Sequence, residues 1–323
     1  MSSCVHPVLR WFSAVGAVFE GLVFGRGGPD SGPLFIVGLP RAGTTLLYQA
    51  ICHRFQVAYP PMLTNTLSFA PGLAAWLARN SMRSYQSNFA SRYGMSQGWS
   101  SPGEGAMWNL WFDKHEHFAG IDACPPRCHR AVAAMGQIER IGDGPVVVKN
   151  LRHNQYLLPL AELFPKAVFI VAVRQPRNVA LSILNARYKL LPHPTDFWSI
   201  RPRKYPVDEE LSPAAQVAWQ VHGLLADLTH DIDAIGTDRC RAIRYEDFCQ
   251  APEGVLTELQ GWVETAGMQL TGHADIPPTF PLKTGQTKDL PATAVAELEA
   301  LLADLLPATS IDSLPCPYLT GKV

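Results

Sequence analysis

Trp11, Val15, Val18, Phe19, Leu22 and Val23 recur at helical spacing, which predicts an amphipathic helix stopped by the Gly25-Arg-Gly-Gly-Pro29 breaker. Residues 34–37 are a short unbroken apolar run ending in glycine, the pattern of a strand buried on both faces. A helix follows at once, with Leu46, Leu47, Ala50, Ile51 and Phe55 on one side. Residues 146–148 and 168–173 repeat the arrangement, each leading into polar residues and a helical pattern, and residues 240–244 predict a fourth strand. Ser212 and Pro213 suit the cap and first turn of a long helix that aligns Val217, Val221, Leu224, Leu228 and Ile232. Further helices are expected around residues 255–263 and 295–305. This alternation predicts an α/β fold, a mostly parallel central sheet with helices on both faces. The expected organisation is an N-terminal amphipathic segment over residues 1–30 and a single domain over 31–323, with an irregular insertion at about 60–144.

Composition narrows the function. The 323 residues are 47% apolar and 17% charged, which excludes wholesale disorder. With 27 basic and 28 acidic side chains the net charge is −1, so the chain lacks the basic field of a dedicated nucleic-acid binder. Any anion site must be local. No apolar stretch reaches the ~18 residues of a membrane span. The N-terminal stripe follows Arg10 but leads to no small-x-small cleavage site, which argues against a signal peptide. It has two readings: it packs on the domain or a second copy of the chain, or it lies on a membrane surface through residues 8–24. Seven cysteines, odd in number and thinly spread, point to a reducing, cytoplasmic setting, with membrane contact at most peripheral.

Between the first strand and its helix lies Gly38-Leu-Pro-Arg41-Ala42-Gly43-Thr44-Thr45, where backbone N–H groups and a helix N-terminus can cradle an anion. The spacing is that of a Walker loop, but Thr44 stands at the lysine position and the nearest cation is Arg41. The strand over 168–173 ends in Arg174 instead of a metal-binding aspartate, so triphosphate hydrolysis with magnesium is not expected.

The loop resembles the 5′-phosphosulfate loop of sulfotransferases that use 3′-phosphoadenosine 5′-phosphosulfate (PAPS). The segment from Val168 through Arg174 to Ser182 is similar to the family's 3′-phosphate site, a strand-end arginine with a helical serine eight positions on. Val146-Val-Val-Lys149 resembles the family's lysine-bearing strand, and Lys283-Thr-Gly285 its loop over the nucleotide. The match, from about Pro33 to Asp289, is to the broad bacterial and Golgi-type group. It implies a P-loop-like sulfotransferase fold, PAPS as donor substrate without a metal, Arg41, Ala42, Gly43, Thr44 and Thr45 at the 5′-phosphosulfate, Arg174 and Ser182 at the 3′-phosphate, and Lys283 and Gly285 in a loop that closes over the nucleotide. Lys149 would meet the charge that develops on the leaving oxygen. Ala42 replaces the commoner serine, Leu46 stands where cytosolic members have an adenine-stacking tryptophan, and residues 58–61 lack the acidic base of protein-tyrosine members.

Two residues can take the acceptor proton. Glu104 lies in Pro102-Gly-Glu-Gly105, which resembles an acidic turn of the bacterial group, near Met107, Trp108 and Trp111. His153, four residues after Lys149, would titrate near neutrality if unperturbed. His115, His117, Cys124, Cys128 and His129 are crowded, but their spacing matches no closed zinc site. Tyr245-Glu-Asp247 is read as structural. The expected reaction is sulfuryl transfer to an acceptor hydroxyl or amine. Trp76, Tyr85, Tyr93, Trp99, Trp108 and Trp111 either offer faces for a glycan or fill a core, and a lipid-linked, small phenolic or peptide acceptor stays open. The rival readings are a P-loop kinase and a non-catalytic nucleotide-binding scaffold.

Overall fold

The computed structural model describes residues 7–90, 97–112, 123–206, 210–306 and 314–321. Helix α1 (Pro7–Val23) precedes strand β1 (Leu34–Gly38), which leads directly into α2 (Thr44–Arg54) and the short β2 (Phe55–Gln56). Helices α3 (Pro71–Arg83), α4 (Trp108–Trp111) and α5 (His129–Gly142) come before β3 (Val147–Lys149). The chain continues through α6 (Leu157–Leu163), β4 (Val168–Val173), α7 (Pro176–Leu190) and α8 (Pro213–Ile235) to β5 (Cys240–Arg244). It closes with α9 (Tyr245–Gln250), α10 (Pro252–Thr265), β6 (Thr271–Gly272), α11 (Ala292–Leu305) and β7 (Tyr318–Leu319).

The main sheet has the order β3-β1-β4-β5-β7 and every neighbour pair is parallel. Its central strands are buried along their whole length, as unbroken apolar runs require when helices surround a sheet. The register aligns the loop after β1 with the ends of β3 and β4: Ile36 pairs with Lys149 and Gly38 with Ala172. Lys149 and Arg174 therefore emerge on either side of the loop. A Cβ at Gly38 would lie 2.1 Å from the Ala172 carbonyl oxygen, so only glycine permits this close approach.

Three features differ from the sequence expectation. The region over 60–144 is not irregular, because it carries α3 and α5, which pack on one another. The sheet also gains β7, two residues paired with β5. The predicted cap of α8 is present, with Ser212 Oγ accepting from the Ala215 N–H at 3.0 Å. The Gly25–Pro29 breaker is pinned to α5, since Gln137 donates to the Gly25 carbonyl and Arg140 to the Phe24 carbonyl. Cys124 and Cys128 are joined as a disulfide, a departure from the expectation of reduced thiols, whereas Cys52, Cys240, Cys249 and Cys316 are free and buried.

Candidate active site

The loop after β1 is shaped by backbone geometry that its sequence makes possible. Arg41 and Gly43 both have left-handed backbones, with φ of 67° and 89°. The turn brings Gly43 against Tyr245, where a Cβ would sit 2.4 Å from the ring. No side chain caps the start of α2, where Thr44 and Thr45 are buried. Asn154 clamps the strand before the loop: its Oδ1 accepts from the Gly38 N–H at 3.0 Å and its Nδ2 donates to the Gly38 carbonyl at 2.7 Å.

The proposed 3′-phosphate residues converge on this loop. Arg41 Nε donates to Ser182 Oγ at 3.0 Å. Arg174, at the end of β4, donates to the Arg41 carbonyl at 2.8 Å and also to the Lys283 carbonyl. Its Nε is buried with no acceptor, and its guanidinium lies 4.6 Å from the centre of the Tyr245 ring. Tyr245 Oη accepts from the Lys283 N–H at 3.3 Å, while Asn178 Oδ1 accepts from the Gly285 N–H at 3.0 Å. Segments 240 residues apart, from 41–45 to 283–285, thus share one cluster of cations and N–H donors. Tyr245, Asn154 and Asn178 were not singled out as site residues by sequence. The clash that any side chain at Gly43 would create is the signal that marks Tyr245.

On the β3 side, Lys149 is buried and ion-pairs with Glu104. Asn150 fixes the same turn, donating to the Glu104 carbonyl at 3.1 Å while its Oδ1 accepts from the Arg152 N–H at 2.9 Å. Gly105, with φ of 72°, lets the chain reverse after the carboxylate. Lys149 and Glu104, two of the candidate catalytic residues, are therefore brought together.

His153 is placed differently. It is fully buried among Phe35, Trp108 and Tyr156, at ring distances of 5.2, 4.6 and 5.5 Å. Neither ring nitrogen has a hydrogen-bond partner. Burial, with a smaller contribution from the charge of Lys149, lowers its pKa to about 3. His153 is thus enclosed by aromatic rings, apart from the residues that line the cavity beside Glu104.

Next to Glu104 opens a cavity of about 330 Å3. Asn65, Asn109, Asn150, Arg152 and Gln155 give it a polar lining, with Met62 and Ile200 as apolar patches. The aromatic faces expected for a glycan do not line it. Trp108 and Trp111 are buried in the core, Trp76 and Trp99 are exposed elsewhere, Tyr85 packs edge-on against Tyr59, and Tyr93 lies outside the described residues. His115 and His117 also lie outside them, and among the described residues no group of three metal-ligating side chains gathers.

The model of the sulfotransferase family matches residues 33–267. The chain belongs to the sulfotransferase family. Its fold is that of sulfotransferase STF1 from Mycobacterium tuberculosis, 14% identical with a TM-score of 0.50, over 78% of this chain and 72% of that one. Sulfotransferase STF9 from Mycobacterium avium is 16% identical with a TM-score of 0.44, over 90% of this chain and 72% of that one. A sulfotransferase domain from the curacin biosynthetic pathway is 14% identical with a TM-score of 0.44, covering 87% and 99%. No curated protein matches the sequence significantly. In this sulfotransferase the family match spans the loop, Lys149, Arg174, Ser182 and Tyr245 but stops before Lys283 and Gly285.

Proposed function

We propose that this sulfotransferase moves the sulfuryl group of PAPS to an acceptor hydroxyl, with Lys149 and Glu104 as its catalytic pair. The single observation that carries the reading is the convergence of Arg41, Arg174, Ser182 and the 283–285 segment beside an uncapped helix start, one strand away from that pair. The first-turn amides of α2 and Arg41 hold the 5′-phosphosulfate. Arg174, Ser182 and the 283–285 loop enclose the 3′-phosphate, and the orphaned Arg174 Nε supplies a donor that an anion satisfies.

In the reaction the acceptor oxygen attacks sulfur in line. The bond from sulfur to the bridging phosphate oxygen breaks, and its electron pair remains on adenosine 3′,5′-bisphosphate. Lys149 stabilises that charge and Glu104 takes the acceptor proton. In the free protein the two side chains are joined as an ion pair, which donor and acceptor separate when they bind. No step requires a metal.

The cavity beside Glu104 suits a small polyhydroxylated acceptor, because carboxamides and an arginine match hydroxyl groups. The glycan reading therefore rests on these groups and not on stacking. The test incubates the protein with 35S-labelled PAPS and a panel of monosaccharide glycosides and simple phenols. Label transferred to the glycosides and lost in Glu104→Gln supports the reading; donor left intact with every acceptor and with cell extract argues against it.

A further inference from the structure

Among the described residues, eight of the eleven exposed large apolar side chains lie on only two helices. Helix α1 exposes Val15, Val18, Phe19, Leu22 and Val23, and α3 exposes Leu73, Trp76 and Leu77. A soluble surface normally scatters such residues singly. The two helices meet: Glu20 of α1 accepts from the Leu73 N–H at 2.6 Å, and a Cβ on Gly16 would lie 2.7 Å from the Phe69 carbonyl just before α3. Val18, Arg26, Phe69 and Pro71 line a single groove of about 640 Å3 at this junction.

Three arginines fringe this face. Arg26 and Arg83 are exposed, and Arg79 lies 4.4 Å over the Trp76 ring. The only carboxylate on either helix, Glu20, is 3% exposed and turned to the start of α3. No helix among the described residues is long and apolar enough to cross a membrane. A large apolar strip fringed by arginines, on helices that expose no carboxylate of their own, is the surface of a helix that lies in a lipid headgroup layer.

We propose that the α1–α3 face docks on an anionic lipid surface. Phe19, Leu22, Trp76 and Leu77 enter the acyl boundary, and Arg26, Arg79 and Arg83 meet the headgroup phosphates. A second copy of the chain is the poorer occupant, because a two-fold interface centred on this face would set the same arginines against one another.

The experiment sediments the full chain with vesicles of phosphatidylcholine alone or of equal parts phosphatidylcholine and phosphatidylglycerol. The protein sediments with the anionic vesicles and stays in solution with the neutral ones. Phe19→Ser combined with Leu22→Ser lowers partitioning at least about tenfold, and Arg79→Gln combined with Arg83→Gln lowers it by about tenfold or more. Both pairs are on the surface, so an unchanged thermal midpoint shows that the fold is kept, and Trp76→Ser supplies an independent apolar variant. Equal sedimentation with both vesicle types, or sedimentation that none of these variants reduces, overturns the proposal. So does a dimer in light scattering that Phe19→Ser with Leu22→Ser splits while the wild-type protein ignores vesicles. Neither donor nor acceptor enters this assay, so its failure leaves the sulfuryl-transfer reading untouched.

Discussion

Lys149 and Glu104 form an ion pair with one buried and one accessible partner: the lysine is 2% exposed, the carboxylate 37%. The carboxylate can therefore meet an acceptor in the adjoining cavity while the lysine stays beneath the loop end of β1. Glu104→Gln keeps the shape of the turn but accepts no proton, and turnover falls by roughly 10²–10⁴ with nucleotide affinity little changed. Lys149→Met lowers turnover more than donor affinity, because its charge acts chiefly when the leaving oxygen becomes anionic. The double variant loses less than the product of the two single losses, since the residues act on one another. Steady-state turnover and bisphosphate affinity of all three variants check this, and strictly multiplicative losses contradict it.

Gly43 is tested by a single methyl group. In Gly43→Ala the new Cβ meets the Tyr245 ring at 2.4 Å, and the backbone must hold a φ of 89°. The strain costs roughly 1–3 kcal/mol of stability. The displaced ring also releases the Lys283 N–H, so the bisphosphate-induced thermal shift shrinks. Denaturant unfolding with and without nucleotide measures both effects; a variant that keeps wild-type stability and shift would separate Tyr245 from the loop.

His153 makes a prediction in pH. Its folded pKa of about 3 lies below its unfolded value near 6.5, so the unfolded chain binds a proton that the folded chain refuses. Its contribution to stability is complete above pH 6.5 and is lost progressively as pH falls toward 3, with a slope approaching about 1.4 kcal/mol per pH unit. His153→Leu removes that slope, visible as a smaller decline in the thermal midpoint between pH 7 and pH 5, and it retains turnover within an order of magnitude. Loss of turnover with an intact nucleotide shift would return the histidine to the chemistry.

The sheet and the anion loop were legible in the sequence because parallel strands buried on both faces are unbroken apolar runs, and each ends at or beside a candidate site residue: Gly38, Lys149, Arg174. Helices α3 and α5 were not, because small residues, Gly72, Ala74, Ala75, Ala78, Ala131, Ala134, Gly136 and Gly142, supply much of their buried faces and give little contrast with a polar face. Strand β7 is two residues long and has no period to detect. Arg174 and Ser182 could be read from a strand end and the following helix. Their meeting with Tyr245 and the 283–285 segment depends on long-range packing that no local pattern encodes. The setting of His153 was hidden for a related reason: spacing places it near Lys149, but its ring packs against Phe35 and Trp108.

The most direct measurement is calorimetric titration of adenosine 3′,5′-bisphosphate and adenosine 5′-phosphate into the wild-type protein and Arg174→Ala, in excess chelator. The bisphosphate binds the wild-type protein far more tightly than the monophosphate. Arg174→Ala removes most of that preference, about 10- to 100-fold for a charge-assisted contact of roughly 1.5–3 kcal/mol. Equal affinity for the two nucleotides in the wild-type protein, or a preference that survives Arg174→Ala, would contradict the assignment of this cluster to the PAPS 3′-phosphate.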